Sequence, residues 1–116
     1  MTAAHTPAVP HSGNIARTVL ENGITVLVYE NFAAQSVVIS GSLRAGAMLE
    51  DAQHNGLAAL TASALTRGTA NRDFGQIAST LEDIGADLSL GAGAHRASLY
   101  GKALAEDLPT LLDVLN

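Results

Sequence analysis

The 116-residue chain has no Cys and no Trp, only two Phe and two Tyr, and six Lys plus Arg in total. Without Cys, disulfides, thiolate nucleophiles and Cys-bearing zinc sites are excluded. Six cations against eleven acids, a net charge of −5, argue against a nucleic-acid surface, which needs clustered Lys and Arg. No apolar run approaches the roughly 20 residues of a membrane-spanning helix, and Met1 to Ile15 lacks the apolar stretch of a signal peptide. The expectation is a cytoplasmic chain with no membrane contact. With aromatics at 3% and hydrophobic residues at 47%, any core must be built from Leu, Val, Ile and Ala. At this length one domain is the ceiling.

Residues 1–16 mix Pro, Gly, Ser, His and Ala without periodicity and read as a flexible N-terminal arm. His5 and His11 in it read as solvated side chains. Order is expected from Arg17. Asn22-Gly23 between two β-rich runs signals a hairpin, because a type I′ turn needs positive φ at both centres. Ser36–Arg44 reads as a third strand with Val37, Ile39 and Leu43 on one face, interrupted at Gly41 by a bulge or a close approach. Gly56–Thr66 reads as an Ala-dense helix closed by Gly68. A second helix is expected from an N-cap at Asp73 to a C′ glycine at Gly85, with Phe74, Ile77, Ala78, Leu81 and Ile84 as its apolar stripe. Asp87–Leu90 and His95–Leu104 read as a strand pair around Gly91-Ala-Gly93. In the second of these, Arg96, Ser98, Tyr100 and Lys102 alternate with apolar residues and make a wet face. Leu108 to Leu115 begin a last helix, with Pro109 in its first turn. The order ββ-β-α-α-β-β-α, with short turns between strands, implies an α+β layer: a largely antiparallel sheet with helices on one face.

Little in this chain can do chemistry. No two histidines stand at i, i+4, and none lies near a helical carboxylate at metal-ligand spacing. His54 follows Glu50 and Asp51, an acidic cluster that reads as an exposed loop, with weak cation recruitment as the alternative. His95 reads as a surface histidine beside a turn. Gly91-Ala-Gly93 is no dinucleotide fingerprint, since Arg96 stands at the third glycine position and a strand follows where a helix is needed. Arg67-Gly68-Thr69 lacks the Gly and Lys of a P-loop. Ser63 has no His or Lys at helical spacing to activate it.

Several landmarks resemble, in their order, the N-terminal part of the insulinase and mitochondrial processing peptidase family of zinc peptidases. Leu20-Glu-Asn-Gly23-Ile-Thr-Val-Leu-Val28 is similar to that family's opening hairpin. Leu43-Arg-Ala-Gly46-Ala47 resembles the strand end and glycine turn after it. Gly56-Leu-Ala58 and Thr66-Arg-Gly68-Thr69 bracket the helix on which the family carries its zinc motif. Leu81-Glu-Asp-Ile-Gly85-Ala86 and Leu104-Ala-Glu-Asp-Leu108-Pro109 resemble a later helix end and helix start. The match runs from about Arg17 to Asn116.

The family's inverted motif, H-x-x-E-H, places two imidazoles and a general-base glutamate on one helical face. Laid onto this sequence, those positions are Ala59, Ala62 and Ser63. No residue from Gly56 to Thr66 is ionisable, so the resemblance implies the fold without the zinc or the catalysis, and no cofactor is expected in this chain. Small residues at these positions also suit close packing against a sheet, which is the plain structural alternative. The resemblance further implies a non-catalytic partner of a homologous zinc-bearing subunit that acts on peptide substrates. A scaffold or binding module outside proteolysis is one alternative; a fragment of a peptidase whose active site lies outside this chain is another. On the same resemblance, residues 17–116 read as a partial domain truncated on its C-terminal side. Its last Leu stripe and a sheet edge would then be uncovered and would drive self-association.

Overall fold

The computed structural model describes residues 9–116; His5, and with it the first half of the segment read as an arm, lies outside the described residues. The chain divides into two compact units, one ending at Gln35 and the other running from Ser36 to Asn116, where the sequence reading draws a single domain over 17–116.

The first unit is a hairpin. Strands β1 (Ile15–Val19) and β2 (Thr25–Tyr29) pair antiparallel, from Ile15 opposite Tyr29 to Val19 opposite Thr25. The first strand therefore begins at Ile15, two residues inside the segment read as an arm, because Tyr29 gives Ile15 a partner in the ladder. The Asn22-Gly23 turn is present, but it is not type I′. Gly23 alone has positive φ, at 84°, and no non-glycine residue shares that conformation among the described residues. The Gly23 amide donates to the Leu20 carbonyl (2.9 Å), and the Leu20 amide donates to the Ile24 carbonyl (2.9 Å). This is the pattern of a longer hairpin loop closed by glycine in the left-handed region. The Asn22 side chain accepts from the Ile24 amide at 3.1 Å, which holds Asn22 in the turn without requiring positive φ of it.

The second unit is a three-stranded antiparallel sheet with helices. Strands β3 (Ser36–Leu43), β4 (Asp87–Ala92) and β5 (Ala97–Leu104) lie in the order β3-β5-β4. Gly91 and Ala92 belong to β4, so the turn is 93–96, closed by the Gly93 amide on the Arg96 carbonyl (2.9 Å). The β3–β5 register runs unbroken from Ser36 opposite Leu104 to Leu43 opposite Ala97. Gly41 sits opposite Leu99 with no bulge, and a Cβ there would make only ordinary contact, at 3.7 Å. Its expected role as an interruption is corrected.

Three helices complete the unit: α1 (Leu57–Ala64), α2 (Phe74–Asp83) and α3 (Leu108–Leu115). The expected order of strands and helices, and the α+β class, hold. Helix α2 starts on a full capping box: the Asp73 carboxylate accepts from the Gln76 amide (2.8 Å) and the Gln76 side chain accepts from the Asp73 amide (2.9 Å). It ends on Gly85 at φ 58°, with the Ala86 amide on the Leu81 carbonyl and the Gly85 amide on the Glu82 carbonyl, a Schellman closure that glycine permits.

One sheet face is covered and the other is open. The covered face carries Val37, Ile39 and Gly41 of β3, Leu88 and Leu90 of β4, and Leu99, Gly101 and Ala103 of β5. Helix α1 lies against β4 and α3 against β5. The buried side chains are Ala62, Ile77, Ala103, Leu111 and Val114. Leu111 is fully enclosed, and its methyls sit over Gly101, 3.3 Å from where a Cβ would stand. This corrects the expectation that the last Leu stripe is bare: Leu111 is seated on the sheet, Val114 is buried too, and Leu112 alone of that stripe is exposed. Leu43 differs in the opposite sense, at 65% exposed. It lies four residues along β3 from Ile39, which is opposite Gly101, beyond the stretch that α3 covers.

Candidate functional site

Helix α1 carries the three positions singled out in the sequence. Its start is held by a carboxylate: Glu50 accepts from the Gly56 amide (2.8 Å) through one oxygen and from the Ala58 amide (2.7 Å) through the other. The first amides of a helix have no partner within it and attract negative charge, so Glu50 completes the helix from outside. Asp51 accepts from the Gln53 amide (2.9 Å) and lies 2.7 Å from His54 Nδ1. The acidic cluster read as an exposed loop is thus a wound capping turn. The sequence offered a signal for it, an acid six residues before a helix-opening glycine, but the local pattern does not fix which acid turns inward.

Ala62 is 4% exposed and faces the sheet side of α1, whereas Ala59 and Ser63 are exposed. At 100° per residue, 59 and 63 share one flank, with Leu57, Leu60 and Ala64 beside them on the outward face. Leu57 and Leu60 are exposed, as are Met48 and Leu49 of the 3₁₀ turn Ala47–Leu49 next to α1. The chemistry at the three positions is two methyl groups and one hydroxyl. These side chains supply neither an imidazole nor a carboxylate, so they do not fit a zinc ion, and no catalytic step follows from them. Among the described residues, no group of three His, Asp or Glu stands together as a metal site.

The remaining candidates are not brought to α1. His95 lies exposed in the 93–96 turn, and His11 is exposed with its Nδ1 accepting from the Gly13 amide (3.0 Å). The Arg67 guanidinium stacks over the Phe74 ring, 4.9 Å from its centre, which covers the one exposed member of the α2 stripe. The Thr69 hydroxyl oxygen accepts from the Asn71 and Arg72 amides (3.2 and 3.1 Å). Arg72 then reaches α3, donating to the Asp113 carbonyl (3.0 Å) and to its carboxylate. The segment from Thr69 to Arg72 therefore ties the start of α2 to α3, with a shallow cavity of about 250 Å³ bounded by Thr69, Asn71, Arg72, Asp113 and Asn116. Sequence reasoning had no means of finding the Arg72–Asp113 pair, whose members are 41 residues apart.

Strand β4 is an edge of its sheet, and α1 lies against it. A free strand edge presents backbone amides and carbonyls that an extended polypeptide can pair with. No helix among the described residues is long and apolar enough to cross a membrane.

Comparison with known proteins bears on this arrangement. A family model described as Insulinase (Peptidase family M16) matches residues 25–116. The mitochondrial-processing peptidase subunit beta of Neurospora crassa is 32% identical over 111 residues, covering 93% of this chain and 23% of that protein. Among solved structures, a peptidase M16 inactive domain from Pseudomonas fluorescens superposes with a TM-score of 0.78 at 27% identity, over 87% of this chain and 25% of the other. The ferredoxin protease FusC, as a mutant in complex with Arabidopsis ferredoxin, gives a TM-score of 0.77 at 22% identity over 94% of this chain and 12% of that one, a likeness of fold. The chain spans about a quarter or less of the length of these proteins.

Proposed function

This chain belongs to the insulinase family, peptidase family M16, and from that membership we propose that it is a non-catalytic member which partners a zinc-bearing homologue in handling peptides. The observation that carries the reading is α1. The helix lies against β4 and is capped by Glu50, while positions 59, 62 and 63 hold Ala, Ala and Ser. A metal-activated water needs ligands and a base, and these side chains offer none. The likeness to a domain described as inactive supports the reading, as does the apolar outward face of α1, which suits burial against another subunit. The free β4 edge beside α1 suits an extended peptide. A cytoplasmic location goes with the proposal, and fractionation of the native source checks it.

The test is a metal and activity measurement. The purified chain is expected to hold no stoichiometric zinc and to cleave no peptide alone, and to co-purify with a homologue that carries H-x-x-E-H. Stoichiometric zinc with chelator-sensitive cleavage by the chain alone refutes the proposal. Pull-downs that never contain such a homologue favour a binding module outside proteolysis.

A further inference from the structure

The sequence contains two Asn-Gly pairs, Asn22-Gly23 and Asn55-Gly56. At such a pair the backbone nitrogen of the glycine can attack the asparagine side chain, since no Cβ on the glycine blocks the approach. The two pairs are alike in exposure and backbone. All four residues are exposed, Gly23 has φ 84° and Gly56 φ 90°, and neither glycine has an atom within 4 Å of where a Cβ would stand. They differ in what holds the reacting atoms.

The Gly56 nitrogen donates to one carboxylate oxygen of Glu50 at 2.8 Å, while the other oxygen accepts from the Ala58 amide at 2.7 Å. Attack requires the glycine nitrogen to lose its proton. A carboxylate in contact with it opposes the negative charge that deprotonation creates, and a bond to an ionised acceptor is roughly twice as strong as a neutral one. The Asn55 side chain is turned to the Ala52 carbonyl, to which its amide nitrogen donates at 3.3 Å. The Gly23 nitrogen instead donates to a neutral acceptor, the Leu20 carbonyl, at 2.9 Å. The Asn22 side-chain oxygen accepts from the Ile24 amide at 3.1 Å. Negative charge collects on that oxygen when the carbon beside it is attacked, so the Ile24 N–H is placed to stabilise it.

We propose that Asn22 is a site of spontaneous deamidation in the folded chain, and that Glu50 locks Asn55 against the same reaction. Water or hydroxide takes the proton from the Gly23 nitrogen, which forms a bond to Asn22 Cγ. The Cγ–Nδ2 bond breaks, ammonia leaves, and a five-membered imide joins the two residues. Water then opens the imide at either carbonyl, leaving Asp or isoaspartate. Either product adds a negative charge to the β1–β2 loop, and isoaspartate also lengthens the main chain between Leu20 and Ile24. The reaction is internal to the loop, takes up only water, and stands apart from the peptidase-related reading.

The test incubates the 116-residue chain in mildly alkaline buffer and follows both sites by tryptic peptide mapping with mass spectrometry. Cleavage after Arg17, Arg44 and Arg67 puts Asn22 and Asn55 on different peptides, and fragmentation separates Asn22 from Asn31. Deamidation at 22 is expected to run on the order of tenfold faster than at 55, the factor between a neutral and a charged hydrogen bond. In the urea-unfolded chain the two rates should converge. Glu50→Gln, with folding checked by circular dichroism, should speed the reaction at 55 and leave 22 unchanged. The comparison of folded and unfolded parent chain needs no variant, so it decides even where Glu50→Gln does not fold. Equal rates in the folded chain, faster reaction at 55, no reaction at 22, a difference that persists in urea, or a folded Glu50→Gln chain with 55 still protected overturns the proposal.

Discussion

Replacing Gly46 by Ala should destabilise the second unit by about 3 kcal/mol or more. Gly46 is buried, with φ −124° and ψ 174°, an extended conformation that any residue adopts. The penalty is therefore steric. A Cβ there would stand 2.4 Å from the Ala94 carbonyl oxygen and 2.6 Å from both the Arg96 nitrogen and the His95 carbonyl carbon. These are backbone atoms, so no side chain can swing away. Reaching ordinary contact, 3.4 Å or more, means moving the 93–96 turn by about 1 Å. The bonds from the Ala47 amide to the Gly93 carbonyl (3.0 Å) and from the Met48 amide to the Ala94 carbonyl (2.9 Å) cross that same gap. Two such bonds contribute about 1 kcal/mol each, and overpacking adds about 1–3 kcal/mol. At a urea slope near 1.5 kcal/mol/M, the unfolding midpoint by far-ultraviolet circular dichroism should fall by about 2 M. Gly91→Ala is the matched control. It lies exposed in β4 with nothing within 4 Å of its Cβ and should be neutral or stabilising by up to about 1 kcal/mol. A Gly46→Ala midpoint equal to that of the parent refutes the close approach of the 44–49 segment to the 93–96 turn.

Leu111→Ala removes the one fully enclosed large side chain among the described residues and should cost about 2–5 kcal/mol in the same urea titration; an unchanged midpoint means α3 is not seated on Gly101. At the emptied positions, Ala59→His with Ser63→His changes exposed residues and should shift stability by no more than about 0.5 kcal/mol. Adding Ala62→Glu forces a carboxylate into a position 4% exposed and should cost a further ~2 kcal/mol or more. Thermal melts of the double and triple variants check this, and a triple variant as stable as the double shows that position 62 is open to water.

Sequence reasoning worked where the deciding interaction is local. Asp73 and Gly85 mark both ends of α2 because a capping box and a Schellman closure are set within six residues. The wet face of β5 was legible from alternation alone. It failed where a distant segment decides. The Asn22-Gly23 signal specifies a hairpin, but loop length chose the turn, leaving Asn22 at negative φ. Leu43 alternates correctly with Ile39 and is nevertheless exposed, because coverage depends on where α3 lands. Glu50 caps a helix whose N-cap glycine lies six residues later, and Arg72 finds Asp113 across 41 residues; neither partner follows from a residue pattern. At the candidate site, the identities at 59, 62 and 63 are legible in one dimension. That Ala62 is walled in while its two companions are open is not.

The two surfaces of this chain differ in what they can bind, and the difference begins in α1. A helix apolar on all sides is stable in water only when each side is covered. The sheet covers the side of Ala62; Leu57 and Leu60, with Met48 and Leu49 beside them, remain in solvent. With Ala at positions 59 and 62 and Ser at 63, this helix carries no charged side chain on either flank, and its exposed Leu side chains suit a protein neighbour. The open sheet face went the other way. Its Ser, Tyr, Arg and Lys side chains are exposed and satisfied by water, so this face makes no such demand for a neighbour. On the proposed reading, assembly with a partner subunit therefore falls to the α1 surface, where the uncovered Leu57 and Leu60 lie.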